Sequence, residues 1–208
     1  MRTLDFYFDF LSPYAYLAWR QAGAFCAAQR LTLRPRPMVF IMALRHWGHL
    51  GPAQIPPKRD FTFKDIQRRA RARGIPLRMP PTHPFKPILP LRLALPEVAG
   101  ARQIDVVDCL FRAAWSEGRD IADPAQAQAA LQARGLDAPA LLQAADGDVA
   151  RAALKHATAA AIDAGVFGVP TMVVEGEAFW GEDQFPFIAE HLAGKHELQA
   201  APGLHPPA

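Results

Sequence analysis

The N-terminal stretch MRTLDFYFDF alternates polar and apolar residues, punctuated by Asp5 and Asp9, and its aromatic richness from Leu4 to Phe10 predicts a buried strand. Ser12-Pro13 then has the form of a helix start, a hydroxyl N-cap followed by proline at the first helical position. That helix is expected to run through Tyr16, Leu17 and Ala24 to about Ala28. Leu31 to Phe40 reads as a second strand, with Pro35 and Pro37 marking it as an edge or an irregular one.

The pattern changes in the middle of the chain. Asp60 to Arg73 fits a basic amphipathic helix with Phe63, Ile66 and Ala70 on one side, most of its arginines forming a solvated face. Its proline-rich exit, Ile75 to Pro90, reads as a loop with a turn or two of structure. Ile104, Val107, Leu110, Phe111, Ala114 and Trp115 recur at helical spacing. Asp123-Pro124 opens another helix, and Asp137 to Ala145 and Asp148 to Ala164 supply two more. Strand character returns only at Thr171 to Val174 and Ala178 to Trp180, around a turn at Glu175-Gly176-Glu177, before a closing helix from Gln184 to Leu192.

The order is therefore βαβ, a run of helices, then ββα, which predicts an α/β fold with one small mixed sheet completed by both chain ends. On this reading residues 1–40 and 165–200 form the sheet domain, with helix 148–164 packed on it. Residues 41–147 form an inserted helical subdomain, and 201–208, rich in proline and alanine from Pro202 on, form a flexible tail.

Composition narrows the function classes. At 208 residues and 50% hydrophobic content, the chain can bury a core without disulfides or metal. A formal net charge of +3 is weak support for nucleic-acid binding, despite a pI near 9.1. Cys26 and Cys109 lie far apart in helix-like segments and read as reduced structural residues. The N-terminus lacks an apolar signal core and no apolar run reaches spanning length, so a cytoplasmic protein without membrane association is expected.

Chemistry gathers at two places. A helix N-terminus carries unpaired N–H groups and a partial positive charge, and a hydroxyl at its cap adds a donor. Ser12 could thus lower the pKa of a bound thiol, or it could simply cap the helix. Far along the chain, Val169-Pro170-Thr171 enters a strand where a cis peptide would turn the Val169 N–H and C=O outward to pair with an extended peptide. Trp180-Gly181-Glu182-Asp183 leads into the last helix, whose early N–H groups suit a carboxylate while Asp183 suits an ammonium. His46 and His49 sit three apart, but no third ligand stands near them, so no metal is expected.

Taken together, FYFDFLSPYAYLA and GVFGVPTMVVEGEAFWGEDQF resemble the thioredoxin-fold branch of DsbA-like proteins, kappa-class glutathione transferases and 2-hydroxychromene-2-carboxylate isomerases. Ser12-Pro13-Tyr14-Ala15 stands where DsbA-like oxidoreductases carry C-x-x-C, so dithiol redox chemistry is not expected there. The resemblance implies a thioredoxin-like fold with a helical insertion, glutathione as cofactor and a homodimer. It also implies a glutathione-dependent cis/trans isomerisation of an aromatic, chromene-type 2-oxo acid. Ser12 matches the serine that meets the glutathione sulfur. Val169, with Pro170 following, matches the site for the cysteinyl part, and Trp180, Gly181, Glu182 and Asp183 match the stretch holding the γ-glutamyl end.

The chain departs from the isomerase pattern on the side of the second substrate. Leu44-Arg45-His46-Trp47-Gly48-His49 replaces a Phe-Lys-Ala-Thr-Gly-Asn-like stretch, Phe61 stands where tyrosine is common, and His83-Pro84-Phe85-Lys86 replaces Phe-Pro-x-Asn. Arg45, His49 and Phe85 are the candidates for contacting that substrate. Arg45 keeps a positive charge but presents a planar fork. A kappa-like transferase and a catalytically silent binding protein remain as alternatives.

Overall fold

The computed structural model describes residues 2–195, so the tail expected from residue 201 onward lies outside the described residues. Four strands form one mixed sheet in the order β2-β1-β3-β4. The central strand β1 (Thr3–Phe8) pairs parallel with β2 (Thr32–Pro37) and antiparallel with β3 (Thr171–Val174). β4 (Glu177–Trp180) closes the sheet by a tight return from β3, turning at Glu175 and Gly176, both at positive φ. Pro35 and Pro37 are tolerated in β2 because it is an edge strand with one side free of ladder bonds.

Alternation along β1 assigns its two faces. Leu4, Phe6 and Phe8 are fully buried against α1 (Pro13–Gln29) and α6 (Gln103–Trp115). Phe8 and Phe10 meet Phe111 at ring-centroid distances of 5.4 and 4.6 Å, and Trp19 stacks on Phe111 at 6.0 Å. The main core therefore runs unbroken from the sheet into the middle helices. Tyr7, on the other face, joins a smaller cluster with Met38, Ala43, Ala161, Val166 and Val169. That cluster is covered by α2 (Phe40–His46) and α9 (Asp148–Asp163).

Between them lie α3 (Pro56–Ala72), α4 (Ile88–Leu93), α5 (Pro96–Ala99), α7 (Pro124–Gln132) and α8 (Ala138–Asp146), and α10 (Phe185–Leu192) ends the described fold. Asp123 and Asp137 cap α7 and α8 by accepting backbone N–H bonds, as their positions before Pro124 and Ala138-Pro139 predict. Three local expectations shift. The second strand stops at Pro37, and Phe40 opens a short helix instead. The basic helix starts a turn earlier than expected, because Pro56 and Pro57 occupy the first-turn positions that need no N–H donor. α4 begins inside the expected loop, with Pro90 still in its first turn.

Cys26 and Cys109 are both free and buried, and burial pushes each thiol up to about 11. No helix among the described residues is long and apolar enough to cross a membrane.

Candidate functional site

The carboxyl end of β1 leads into a turn whose polar groups are held by side chains from distant elements. Asp9, fully buried, accepts the Leu11 N–H on Oδ1 and the Phe40 N–H on Oδ2, each at 3.0 Å. Burial pushes its carboxyl up to about 7, against the pull of those two N–H groups. Trp115 Nε1 donates to the Phe10 carbonyl at 2.8 Å, and His83 Nε2 to the Leu11 carbonyl at 2.9 Å. The turn delivers Ser12 in extended conformation (φ −88°, ψ 111°) at the N-cap of α1.

Ser12 Oγ accepts the Ala15 N–H at 3.1 Å and donates to the Val169 carbonyl at 3.2 Å. The Val169-Pro170 bond is cis. The Val169 N–H has no acceptor among the described residues. Val169, Pro170, Trp180, Gly181, Glu182 and Asp183 line a cavity of about 250 Å³, completed by Tyr14 from α1 and Arg69 from α3. Six of the residues expected at the cofactor thus share one cavity, and Ser12 joins it through its bond to Val169.

Two glycines shape the wall. A Cβ on Gly168 would stand 2.5 Å from the Trp180 indole nitrogen, so the ring lies over bare backbone. Gly181 has φ +130°, and a Cβ there would meet Asp183 Oδ1 at 2.8 Å. Trp180 also meets Phe167 edge to face at 5.0 Å.

Arginines expected on a solvated face of the basic helix turn inward here. Arg69 pairs with Glu182 Oε1 through Nη1, with Asp65 through Nε at 2.6 Å, and with Asp183 at 3.4 Å. Arg73 holds Glu182 Oε2 at 2.7 Å. The reason is tertiary: Glu182 is only 2% exposed, and a buried carboxylate persists only with counter-charge beside it. Hydrogen bonding to Glu182 is the chief cause that raises Arg69 above its ordinary value. Tyr14 donates its hydroxyl to Asp65 at 2.9 Å and lies under the Arg69 guanidinium, 5.8 Å from ring centre to Cζ. Burial first, then Asp65, raises the Tyr14 phenol and keeps it protonated. For Asp183, burial pulls upward but is outweighed by hydrogen bonds from Gln184, its own backbone N–H and Arg69, leaving the carboxyl below its ordinary value.

The residues expected at the second substrate do not converge. His49 lines a separate opening of about 230 Å³ with Trp47, Gly165 and Phe167, where Trp47 Nε1 donates to the Val166 carbonyl at 3.3 Å. Arg45 is exposed on the last turn of α2 and lines neither opening. Phe85 is buried in the main core, where an aromatic ring gains more than at a wet rim. No cluster of three or more potential metal ligands occurs among the described residues. Tyr14, Asp65 and Arg69, which were not among the expected site residues, are brought in by the packing of α3 on α1.

Residues 3–193 match the family model of the DSBA-like thioredoxin domain. A 2-hydroxychromene-2-carboxylate isomerase from Pseudomonas putida is 32% identical over 92% of this chain and 94% of its own length. The human glutathione S-transferase kappa 1 is 25% identical over 97% of this chain and 95% of its own. A solved structure of 2-hydroxychromene-2-carboxylate isomerase superposes with a TM-score of 0.80 at 30% identity, covering 93% of this chain and 95% of that one. With its sulfur-free helix start and matching fold, the chain belongs to the 2-hydroxychromene-2-carboxylate isomerase family of DSBA-like thioredoxin domains.

Proposed function

We propose that the chain is a glutathione-dependent isomerase that interconverts cis and trans forms of an aromatic 2-oxo acid of the chromene type. One observation carries the reading: the Ser12 hydroxyl and the backbone of Val169 meet beside a cavity that Asp183 also lines. When bound, glutathione supplies a thiol that adds to a conjugated double bond, leaves a single bond free to rotate, and departs unchanged.

The chain's own groups fit that cofactor. The Ser12 hydroxyl turns about Cβ–Oγ from the Val169 carbonyl to a sulfur, and the N-terminus of α1 favours negative charge there. The unpaired N–H and the carbonyl of Val169 suit the cysteinyl backbone as an added strand would. Asp183, half-exposed and held in its charged form, pairs with the γ-glutamyl ammonium. Glu182 contributes by fixing Arg69 on the cavity wall, because both its oxygens are engaged by arginines. His49 faces the aromatic part of the second substrate from its own opening, and Arg45, outside that opening on the last turn of α2, meets the substrate carboxylate only at its solvent side. The reading places the protein in the cytoplasm, where thiols stay reduced, as a homodimer.

The likeness to kappa-class transferases favours one competing outcome, retention of the conjugate as product. Calorimetry with reduced glutathione tests the first step, and absence of binding overturns the proposal. Product analysis tests the second: glutathione recovered unchanged marks an isomerase, and its stoichiometric consumption marks a transferase.

A further inference from the structure

His83 and the Ser12 turn are joined by a contact that the glutathione reading does not use. The imidazole lies edge-on between Phe63 of α3 at 5.7 Å and Trp115 of α6 at 5.5 Å. Its Nε2 sits 2.9 Å from the Leu11 carbonyl oxygen. A carbonyl only accepts, so Nε2 carries the hydrogen, and in the neutral ring Nδ1 carries the lone pair. Nδ1 is buried and has no partner among the described residues, so the ring's one directional bond is the one to Leu11. The carbonyl it grips belongs to the peptide unit whose nitrogen is Ser12's own, and that N–H donates back to the Asp9 carbonyl at 3.0 Å. Tilting this peptide plane swings the Ser12 Cα–Cβ bond, and with it the hydroxyl that meets Val169.

We propose that His83 is the positioning residue of the reactive turn: from the middle of the chain, it holds the Leu11-Ser12 peptide so that the Ser12 hydroxyl points at the thiol site. Trp115 does the same one peptide earlier through the Phe10 carbonyl, but its ring also fills the core. His83 is half-buried, and its separable contribution is the hydrogen bond. Asp9 completes the clamp from within the turn. The part of this inference that concerns a thiol rests on the glutathione reading. The part that concerns the turn does not.

The test begins with the intact protein. Two-bond ¹⁵N–¹H correlation of the histidine rings is expected to show His83 with hydrogen on Nε2 and none on Nδ1, and the opposite tautomer overturns the proposal. His83→Phe keeps a ring between Phe63 and Trp115 but removes the donor, whereas His83→Gln restores a donor of similar reach. In His83→Phe the ¹⁵N shift of the Ser12 amide is expected to move, the bound glutathione thiol to titrate at least half a pH unit higher, and kcat to fall about tenfold. The glutathione Kd is expected to change less than threefold, and His83→Gln to recover most of the loss. A His83→Phe protein with wild-type Ser12 amide shift and thiol titration overturns the assignment. If glutathione does not bind the wild-type chain, the tautomer and amide shift still decide the role of His83, while the cofactor reading alone fails.

Discussion

The Ser12 hydroxyl and the Val169 carbonyl are joined by a buried hydrogen bond of 3.2 Å between residues 157 positions apart. The same hydroxyl oxygen accepts the Ala15 N–H, so one atom both caps α1 and ties the two halves of the site. Ser12→Ala removes both bonds. We expect a loss of about 1 kcal/mol from the cap, read by urea denaturation. The bound thiol is expected to titrate higher by about one pH unit, roughly 1.4 kcal/mol, because a donor to the thiolate is gone. A variant with unchanged thiol titration by ultraviolet absorbance would reduce Ser12 to a helix cap.

Glu182 is the buried carboxylate around which Arg69 and Arg73 are arranged. Arg69→Met leaves Glu182 with one partner and is expected to cost about 2 kcal/mol, below the ~3–5 kcal/mol of stripping a buried charge bare. Glu182→Gln in that background is expected to recover part of the loss, a coupling of about 1 kcal/mol. Strict additivity in the double-mutant cycle would show that the pair does not organise the cavity wall.

Asp9 links the turn before Ser12 to the start of α2, and its folded-state value of about 7 lies above the ordinary 3.8. Between those values the unfolded chain has already lost the proton that the folded chain keeps. The unfolded state therefore binds fewer protons, and stability falls as pH rises from about 4 through about 7, then levels. The contribution is on the order of a few kcal/mol. Thermal unfolding from pH 4.5 to 8 is expected to show this decline, and the slope is expected to flatten in Asp9→Asn. An equally steep slope in the variant would place the titration elsewhere.

Gly168 lies under the Trp180 indole, and a methyl group there would stand 2.5 Å from the ring nitrogen. Because Trp180 is more than half exposed, the ring can swing away rather than unfold the sheet. Gly168→Ala is therefore expected to shift Tm by only ~1–3 °C, consistent with a change under about 1 kcal/mol. Glutathione is expected to bind about tenfold more weakly, with altered Trp fluorescence. Wild-type affinity would remove Trp180 from the binding wall.

His49 and Phe85 were both expected at the second substrate, yet only His49 lines an opening. His49→Ala is expected to raise KM for the aromatic substrate about threefold to tenfold, with glutathione affinity and stability unchanged. Phe85→Ala is expected to cost ~3–5 kcal/mol of stability and leave the KM of the folded protein unchanged. Steady-state kinetics paired with denaturation separates these outcomes, and a KM effect without destabilisation at Phe85 would return it to the site.

The element order was readable from the chain, because period-two and helical patterns with capped starts report local physics. The strand at Thr3–Phe8, the Ser12-Pro13 helix start and the closing hairpin all lie within a few residues of their expected bounds. The missing C-x-x-C was equally plain, and with it the exclusion of dithiol chemistry at the first helix. What the sequence left open was the use of side chains whose partners lie far along the chain. Arg69 and Arg73 look like solvated positions on a basic helix until packing buries Glu182 against them. His83 looks like a loop residue until the loop crosses the Leu11 carbonyl. Phe85 reads as a contact residue until the core encloses it. Local propensity is a property of neighbouring residues, whereas charge compensation, desolvation and hydrogen-bond satisfaction are settled only when distant segments meet. Ser12 itself needed both: the sequence determined that it caps a helix without a thiol, and the tertiary structure decided that its hydroxyl faces Val169.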